Sequence, residues 1–338
     1  MATLSDIARV AGVSVSAVSR VLSGAEGTRV SDETRARIHQ AALDLDYRPN
    51  YAARALKLQR TSVLACIVPD LTNAMFSDLL SGIESRAREL DFTVLLSRAE
   101  ALPELDASLE RLLGEGRVDG AIVQTLDAED PTALRALSKE GMPVVFVNTV
   151  HPDHVGSVIL DDEEGAATAT RHLLELGHSR IGFIGGLDKA GSARRRLAGF
   201  EETMRMVGLP VNPAWVTADG YRPAEGASAL ARIAALDDRP TALVVANINA
   251  AMGALLEARR RGWHVPTELS LVSVHDSWPA AHTWPPLTTV KMPLYEMGRA
   301  AVDQVTAKAR GVTVADEVIR APRPALMTRG SSAEPPIA

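Results

Sequence analysis

From residue 61 onward the sequence alternates. Apolar runs of strand length (SVLACIV, FTVLL, GAIV, PVVFV, SVIL, RIGFIG, TALVVA and LSLVSV) are mostly separated by amphipathic segments such as MFSDLLSGIESRAREL and AATATRHLLELG. A strand covered on both faces reads as a continuous apolar run, and a parallel neighbour requires a helical crossover. The alternation therefore predicts parallel sheets built from right-handed βαβ units. Residues 61–330 are too many for one such sheet, and the pattern divides near Val158. Two doubly wound lobes are expected, 61–157 and from 158 to about 290, with a cleft beyond the carboxyl ends of their strands.

The first sixty residues follow a different rule. Thr3-Leu4-Ser5-Asp6 has the form of a capping box, with Leu4, Ile7, Ala8 and Ala11 at helical spacing behind it. Gly12 permits a tight turn, Ser14 is placed to cap a second helix, and a third begins near Ser31 with Asp32 and Glu33 in its first turn. Its apolar stripe is Ile38, Ala41, Ala42 and Leu45. So short a link between the first two helices forces a steep crossing that projects the outer face of the second, a helix-turn-helix arrangement. In VSVSAVSRVLSG, Val18, Val21 and Leu22 are spaced to face a core, and Val15, Ser16, Ser19 and Arg20 to face away. Hydroxyls for phosphates or base edges, Arg for guanine and an apolar group for a thymine methyl form a set suited to the DNA major groove. A solvated face of a three-helix bundle reads similarly.

Charge agrees with a division of labour. Residues 1–60 hold nine Arg and Lys against six Asp and Glu, leaving 27 against 36 for the rest of a chain whose net charge is −6. A cationic front on an anionic body suits attraction to a polyanion. After Tyr47-Arg48-Pro49, the segment NYAARALKLQR carries Arg54, Lys57 and Arg60 and is too short to hold a helix unaided. Leu56 on this basic linker could wedge between base steps or pack on the following domain.

TLSDIARVAGVSVSAVSRVLSG, VSDETRARI and YRPNYAARALK resemble the DNA-binding headpiece and hinge of the lactose-repressor (LacI/GalR) family of bacterial regulators. GHSRIGFIGG, RLAGFEETM, RPTALVVAN and PPLTTVKMPLYEMGRAAVDQV resemble its effector domain, so the likeness runs from Thr3 to about Met327. It implies an all-α helix-turn-helix headpiece over 1–48 and a hinge helix and linker over 49–60. A periplasmic-binding-protein-like core of two parallel-sheet lobes follows over 61–330, its chain crossing between lobes three times and returning after 290 to complete both. Val15, Ser16 and Arg20 fall at base-reading positions, Ser14 and Ser19 at phosphate contacts, and Leu56 on the leucine that enters the minor groove. Thr3, Asn50 and Arg54 complete the expected DNA-contacting set. Phe76, Gln124, Asn148, Asp161, Ser192, Arg196, Tyr221, Asn247 and His275 match effector-contact positions. There Arg196 offers a forked donor, the amides and Asp161 serve hydroxyls, and Phe76 or Tyr221 covers an apolar face.

The resemblance implies a dimeric repressor of a pseudo-palindromic operator in double-stranded DNA, governed allosterically by a carbohydrate-type effector. Departures from the family pattern bear on that effector. His275 stands for one carboxylate of an acidic pair, Asn148 stands where Asp is frequent, and Ile248 follows Asn247 where Asp is usual. A cleft short of carboxylates tolerates an anionic sugar derivative better than one rich in them. ARRR (193 to 196) reads as a solvated basic stretch of an amphipathic helix.

Enzyme chemistry finds no motif: there is no HExxH, GxSxG, P-loop or CxxC, no metal-ligand spacing among the eight histidines, and no cofactor is expected. Cys66, the single cysteine, excludes an intramolecular disulfide and reads as a buried inert thiol. No apolar run reaches about 18 residues and no signal-like segment opens the chain, so a cytoplasmic, nucleoid-associated protein is expected. The competing reading, a solute-binding receptor of a transport system, would share the core but needs export and has no use for a headpiece. The tail GSSAEPPIA has no heptad pattern, so residues 331–338 are expected to be disordered and the oligomer to be a homodimer.

Overall fold

Thr3 starts the first helix, its hydroxyl oxygen accepting the Asp6 amide at 3.3 Å while the Asp6 carboxylate accepts the Thr3 amide at 3.0 Å. The computed structural model describes residues 2–23, 28–48, 60–98, 113–124, 141–150 and 156–336, which fall into two units, up to Thr61 and from Ser62. In the first unit α1 (Leu4–Ala11) ends at Gly12, whose φ of 66° lies in the left-handed region open to glycine. Ser14 then caps α2 (Val15–Leu22) by accepting the Ala17 amide at 3.3 Å, and Ser31 caps α3 (Asp32–Asp44) through Thr34 at 3.2 Å. Ile7, Val18 and Ile38, one from each helix, are fully buried at the centre of this small core.

The second unit holds two six-stranded sheets. The first is built from β1 (Val63–Val68), β2 (Thr93–Arg98), β3 (Gly120–Val123), β4 (Val144–Val147), β5 (Ser157–Leu160) and β11 (Glu317–Ile319). Its order is β11-β5-β4-β3-β1-β2 and every pairing is parallel. The second contains β6 (Ile181–Ile184), β7 (Val216–Thr217), β8 (Ala242–Val245), β9 (Ser270–Val274), β10 (Thr288–Lys291) and β12 (Ala325–Met327), ordered β12-β10-β9-β8-β6-β7. Only β12 runs antiparallel there. Helices complete the crossovers: α4 (Phe76–Glu89), α5 (Asp162–Glu175), α6 (Gly191–Met206), α7 (Pro223–Ala234), α8 (Ile248–Arg260) and α9 (Leu294–Ala309). Among the described residues no helix is long and apolar enough to cross a membrane.

Two expectations change. Strand β5 pairs with β4 and β11, so SVIL belongs wholly to the first lobe and the chain enters the second at Asp162 rather than at 158. An apolar run marks a strand but does not reveal which sheet receives it. Nor is the tail disordered over residues 331–336. The Ser331 hydroxyl is buried, accepts the Thr288 amide at 2.8 Å and donates to the Leu271 carbonyl at 2.6 Å. The Ala333 amide donates to Ser270 Oγ at 3.1 Å, and the Ala333 carbonyl lies 2.9 Å from the buried His178 ring. Small polar residues satisfy backbone groups at the sheet margin here, an order that apolar periodicity does not encode.

Cys66 is buried in β1, and desolvation pushes its thiol up to about 12, which keeps it protonated and unreactive. Close helix packing sets the frame for the site. At Gly199 on α6 an added Cβ would lie 2.2 Å from the Glu163 carbonyl oxygen of α5, which is backbone and cannot swing aside. Gly199→Ala is therefore expected to cost about 1–3 kcal/mol in urea denaturation, by forcing α5 and α6 apart. Gly208→Ala, at φ 72° with open space around it, should cost only about 1 kcal/mol. An equal or smaller loss at Gly199 would contradict the packing argument.

Candidate functional site

The outward face of α2 carries Val15, Ser16 and Arg20 exposed and Ser19 half-buried, while Val18 and Val21 turn inward. Ser14 Oγ, besides capping the helix, lies 3.1 Å from Ser16 Oγ, and the Thr3 side chain is engaged in its own capping box. The face thus presents a guanidinium, hydroxyls and a bare isopropyl group on one short, capped helix. Asn50, Arg54 and Leu56 lie outside the described residues, as does nearly all of the hinge segment expected over 49–60.

In the second unit the strand ends deliver side chains into one hydrogen-bonded network. Asp162, fully buried in the first turn of α5, accepts from Arg196 Nε at 2.9 Å through Oδ1. Its Oδ2 accepts from Arg195 Nε at 3.1 Å and Nη2 at 2.6 Å. Arg196 is also buried: Nη1 donates to the Ala246 carbonyl at 2.7 Å, and Nη2 lies 3.1 Å from His275 Nε2. Arg195 reaches across to the first lobe, where its Nη2 lies 3.4 Å from Asn148 Oδ1. Alongside, Ser192 Oγ lies 3.3 Å from the Tyr221 hydroxyl, and Asn247 caps α8 through its Oδ1 while its Nδ2 donates to the Tyr221 carbonyl at 3.1 Å.

Of the nine expected cleft residues, Asn148, Ser192, Arg196, Tyr221, Asn247 and His275 are tied into this arrangement. Among the described residues the other three make no hydrogen bond to it. Asp161 caps α5 and pairs with Arg320 at 3.4 Å, Phe76 is buried in the core at the start of α4, and Gln124 is buried after β3. Two members were not anticipated. Asp162 is the second residue of an Asp doublet, and Arg195 belongs to the run expected to be solvated. That run is solvated only at Arg194; Arg195 and Arg196 turn inward because a buried carboxylate receives both. Spacing alone does not separate them, because three successive residues span about 200° of a helix and leave room for an apolar stripe beside them. A pocket of about 380 Å³ on α6, lined by Phe183, Leu197, Val211 and Pro213 among others, touches none of the nine.

The electrostatics follow from burial. Desolvation first, and the charge of Arg196 second, hold the His275 imidazole well below its ordinary 6.5, so the ring is neutral at pH 7. Arginine only donates, so the neutral ring accepts at Nε2 and carries its proton on Nδ1. That Nδ1 is buried and has no partner among the described residues. Burial raises the Tyr221 phenol. Asp276, beside His275, is engaged by Thr289 at 2.6 Å and Arg329 at 2.8 Å.

Comparison with known proteins agrees with this geometry. Residues 3–50 match bacterial regulatory proteins of the lacI family, and residues 170–332 match the periplasmic binding protein-like domain. The HTH-type transcriptional regulator DegA of Bacillus subtilis is 32% identical over 334 residues, which cover 98% of each chain. A LacI family transcriptional regulator from Mycobacterium smegmatis superposes with a TM-score of 0.75 at 40% identity, covering 80% of this chain and 99% of that one. The Lac repressor dimer bound to operator and the anti-inducer ONPF gives a TM-score of 0.83 at 27% identity, with 98% and 99% covered.

The neutral, buried His275 sets a sign for pH dependence. The unfolded chain takes up a proton near 6.5 and the folded chain resists it, so this stability is complete above 6.5 and is lost as pH falls. His172 and His178, also lowered chiefly by burial, act in the same direction. Each contributes at most about 1.4 kcal/mol per pH unit. The thermal midpoint should fall between pH 7 and pH 5, and His275→Asn should flatten that fall. A fall of unchanged steepness in the variant would remove His275 from the explanation.

Proposed function

The chain belongs to the lacI family of bacterial regulatory proteins and is a DNA-binding transcriptional regulator, and from that premise we propose how its parts divide the work. The exposed face of α2 enters the major groove, with Arg20 reading guanine, Ser16 a base edge and Val15 a thymine methyl, while Ser14 and Ser19 hold phosphates. Two chains act as a dimer on a pseudo-palindromic operator, since a two-fold protein matches a two-fold site. The Arg–Asp–His network holds a small polar effector between the lobes, and segment 49–60 carries the resulting change to the headpiece. By linkage, the factor by which the effector changes operator affinity equals the factor by which operator changes effector affinity. The protein works as a repressor on chromosomal DNA in the cytoplasm.

One observation carries this reading: a cation, hydroxyls and an isopropyl group stand together on the outer face of a capped helix whose inner face is fully used in a core.

Removal of residues 1–61, which leaves the second unit whole, should abolish operator binding in a fluorescence-anisotropy titration. Retained binding would contradict the assignment to α2. In the full chain Arg20→Ala should cost about 1–3 kcal/mol against the preferred site and relax selectivity at one base pair per half-site. An unchanged base preference would exclude Arg20 from the reading set.

A further inference from the structure

The network in the second unit has more positive than negative charge. Asp162 is one carboxylate facing two guanidiniums, Arg195 and Arg196. Among the described residues the neighbouring carboxylates do not make up the difference: Asp161 is paired with Arg320 and Asp276 with Arg329. His275, at the end of β9, is neutral and adds no charge. The two guanidiniums differ in exposure. The Arg196 side chain is 2% exposed and its donors are taken up by Asp162, Ala246 and His275, whereas Arg195 is 22% exposed. Two of the Arg195 donors serve Asp162, and among the described residues its remaining hydrogen bond is a long, neutral one to the Asn148 amide oxygen. An amide oxygen in that place is easily outcompeted, because a charged acceptor binds a guanidinium about twice as strongly.

A second, independent feature points the same way. The buried His275 Nδ1–H has no acceptor among the described residues, and a buried donor left unpaired is costly, so an incoming acceptor is favoured there. His275 also holds a φ of 68°, a strained conformation for a non-glycine residue at the end of β9. Surplus positive charge and an unsatisfied donor both call for a ligand rich in acceptors.

We propose that the effector is a polyhydroxylated metabolite bearing a carboxylate or phosphate, that Arg195 takes its anionic group in place of Asn148, and that His275 Nδ1–H donates to another of its oxygens. This rests on the reading of the inter-lobe network as the effector site and specifies the ligand class for it. Arg195 is the specificity-determining residue, and Asp162 fixes its position.

The test titrates the full chain by thermal shift with matched probes: glucose against gluconate and glucose 6-phosphate, ribose against ribose 5-phosphate, and inorganic phosphate against chloride at equal ionic strength. Arg195→Met keeps the side-chain length without the charge and leaves Asp162 paired with Arg196. Asn148→Asp keeps Arg195 but puts a competing carboxylate at its tip. Acidic probes are expected to stabilise the wild type where their neutral parents do not, with carboxylate and phosphate arms telling the two anions apart. At least tenfold weaker apparent binding is expected in both variants. Three results would overturn the inference: neutral sugars binding as tightly as their acids, anion stabilisation that survives undiminished in both variants, or a wild type indifferent to phosphate over chloride. Tight anion binding that leaves operator affinity unchanged would instead overturn the effector reading and leave the anion site standing.

Discussion

A single buried carboxylate organises the second unit's site. Asp162 has no contact with water, and the chain places it where the first lobe hands over to the second, one residue into α5. The amino end of a helix favours an anion there, and two guanidiniums complete its solvation. Burying an unpaired Arg196 would be prohibitive, and burying Asp162 alone equally so. Each is tolerated because the other is present. From this pair the arrangement spreads outward: Arg196 fixes His275 and the end of β8, and Arg195 spans to Asn148 at the end of β4. A contact from one lobe to the other is the kind of element whose equilibrium a ligand can bias.

The two units solve their stability problems differently. The first has a core of a few aliphatic side chains and depends on caps, with Thr3, Ser14 and Ser31 each accepting an amide that a bare helix end would leave unpaired. The outer face of its second helix is consequently left out of the core. The second unit buries long apolar strands and can afford a charged cluster inside. Gly199 lets α6 approach α5 closely, which brings Arg195 and Arg196 within reach of Asp162.

Much of this was legible in the sequence. The alternating pattern marked β1 to β6, β8 and β9, but not β10, whose TTVK carries two threonines and a lysine and is no apolar run. The capping residues marked the helix starts because their side-chain chemistry is local. The edge strands β7, β11 and β12 and the ordered tail left little trace, because two or three residues carry no period and Ser331 is held by hydrogen bonds. In the site, Arg196, His275 and Asn148 were reached through likeness to a family. Asp162 and Arg195 were not, because whether a charge faces water or a buried partner depends on tertiary placement. Arg195 and Arg194 are neighbours of the same chemistry with opposite fates.

The central claim is that Asp162 and Arg196 sustain each other. A double-mutant cycle measures this directly: urea denaturation at pH 7 of the wild type, Asp162→Asn, Arg196→Met and the double variant. Each single change should cost about 3–5 kcal/mol, and the double variant markedly less than their sum, with a coupling of at least about 2 kcal/mol. Additive losses, within about 0.5 kcal/mol, would show that the two charges are stabilised independently and would contradict the account.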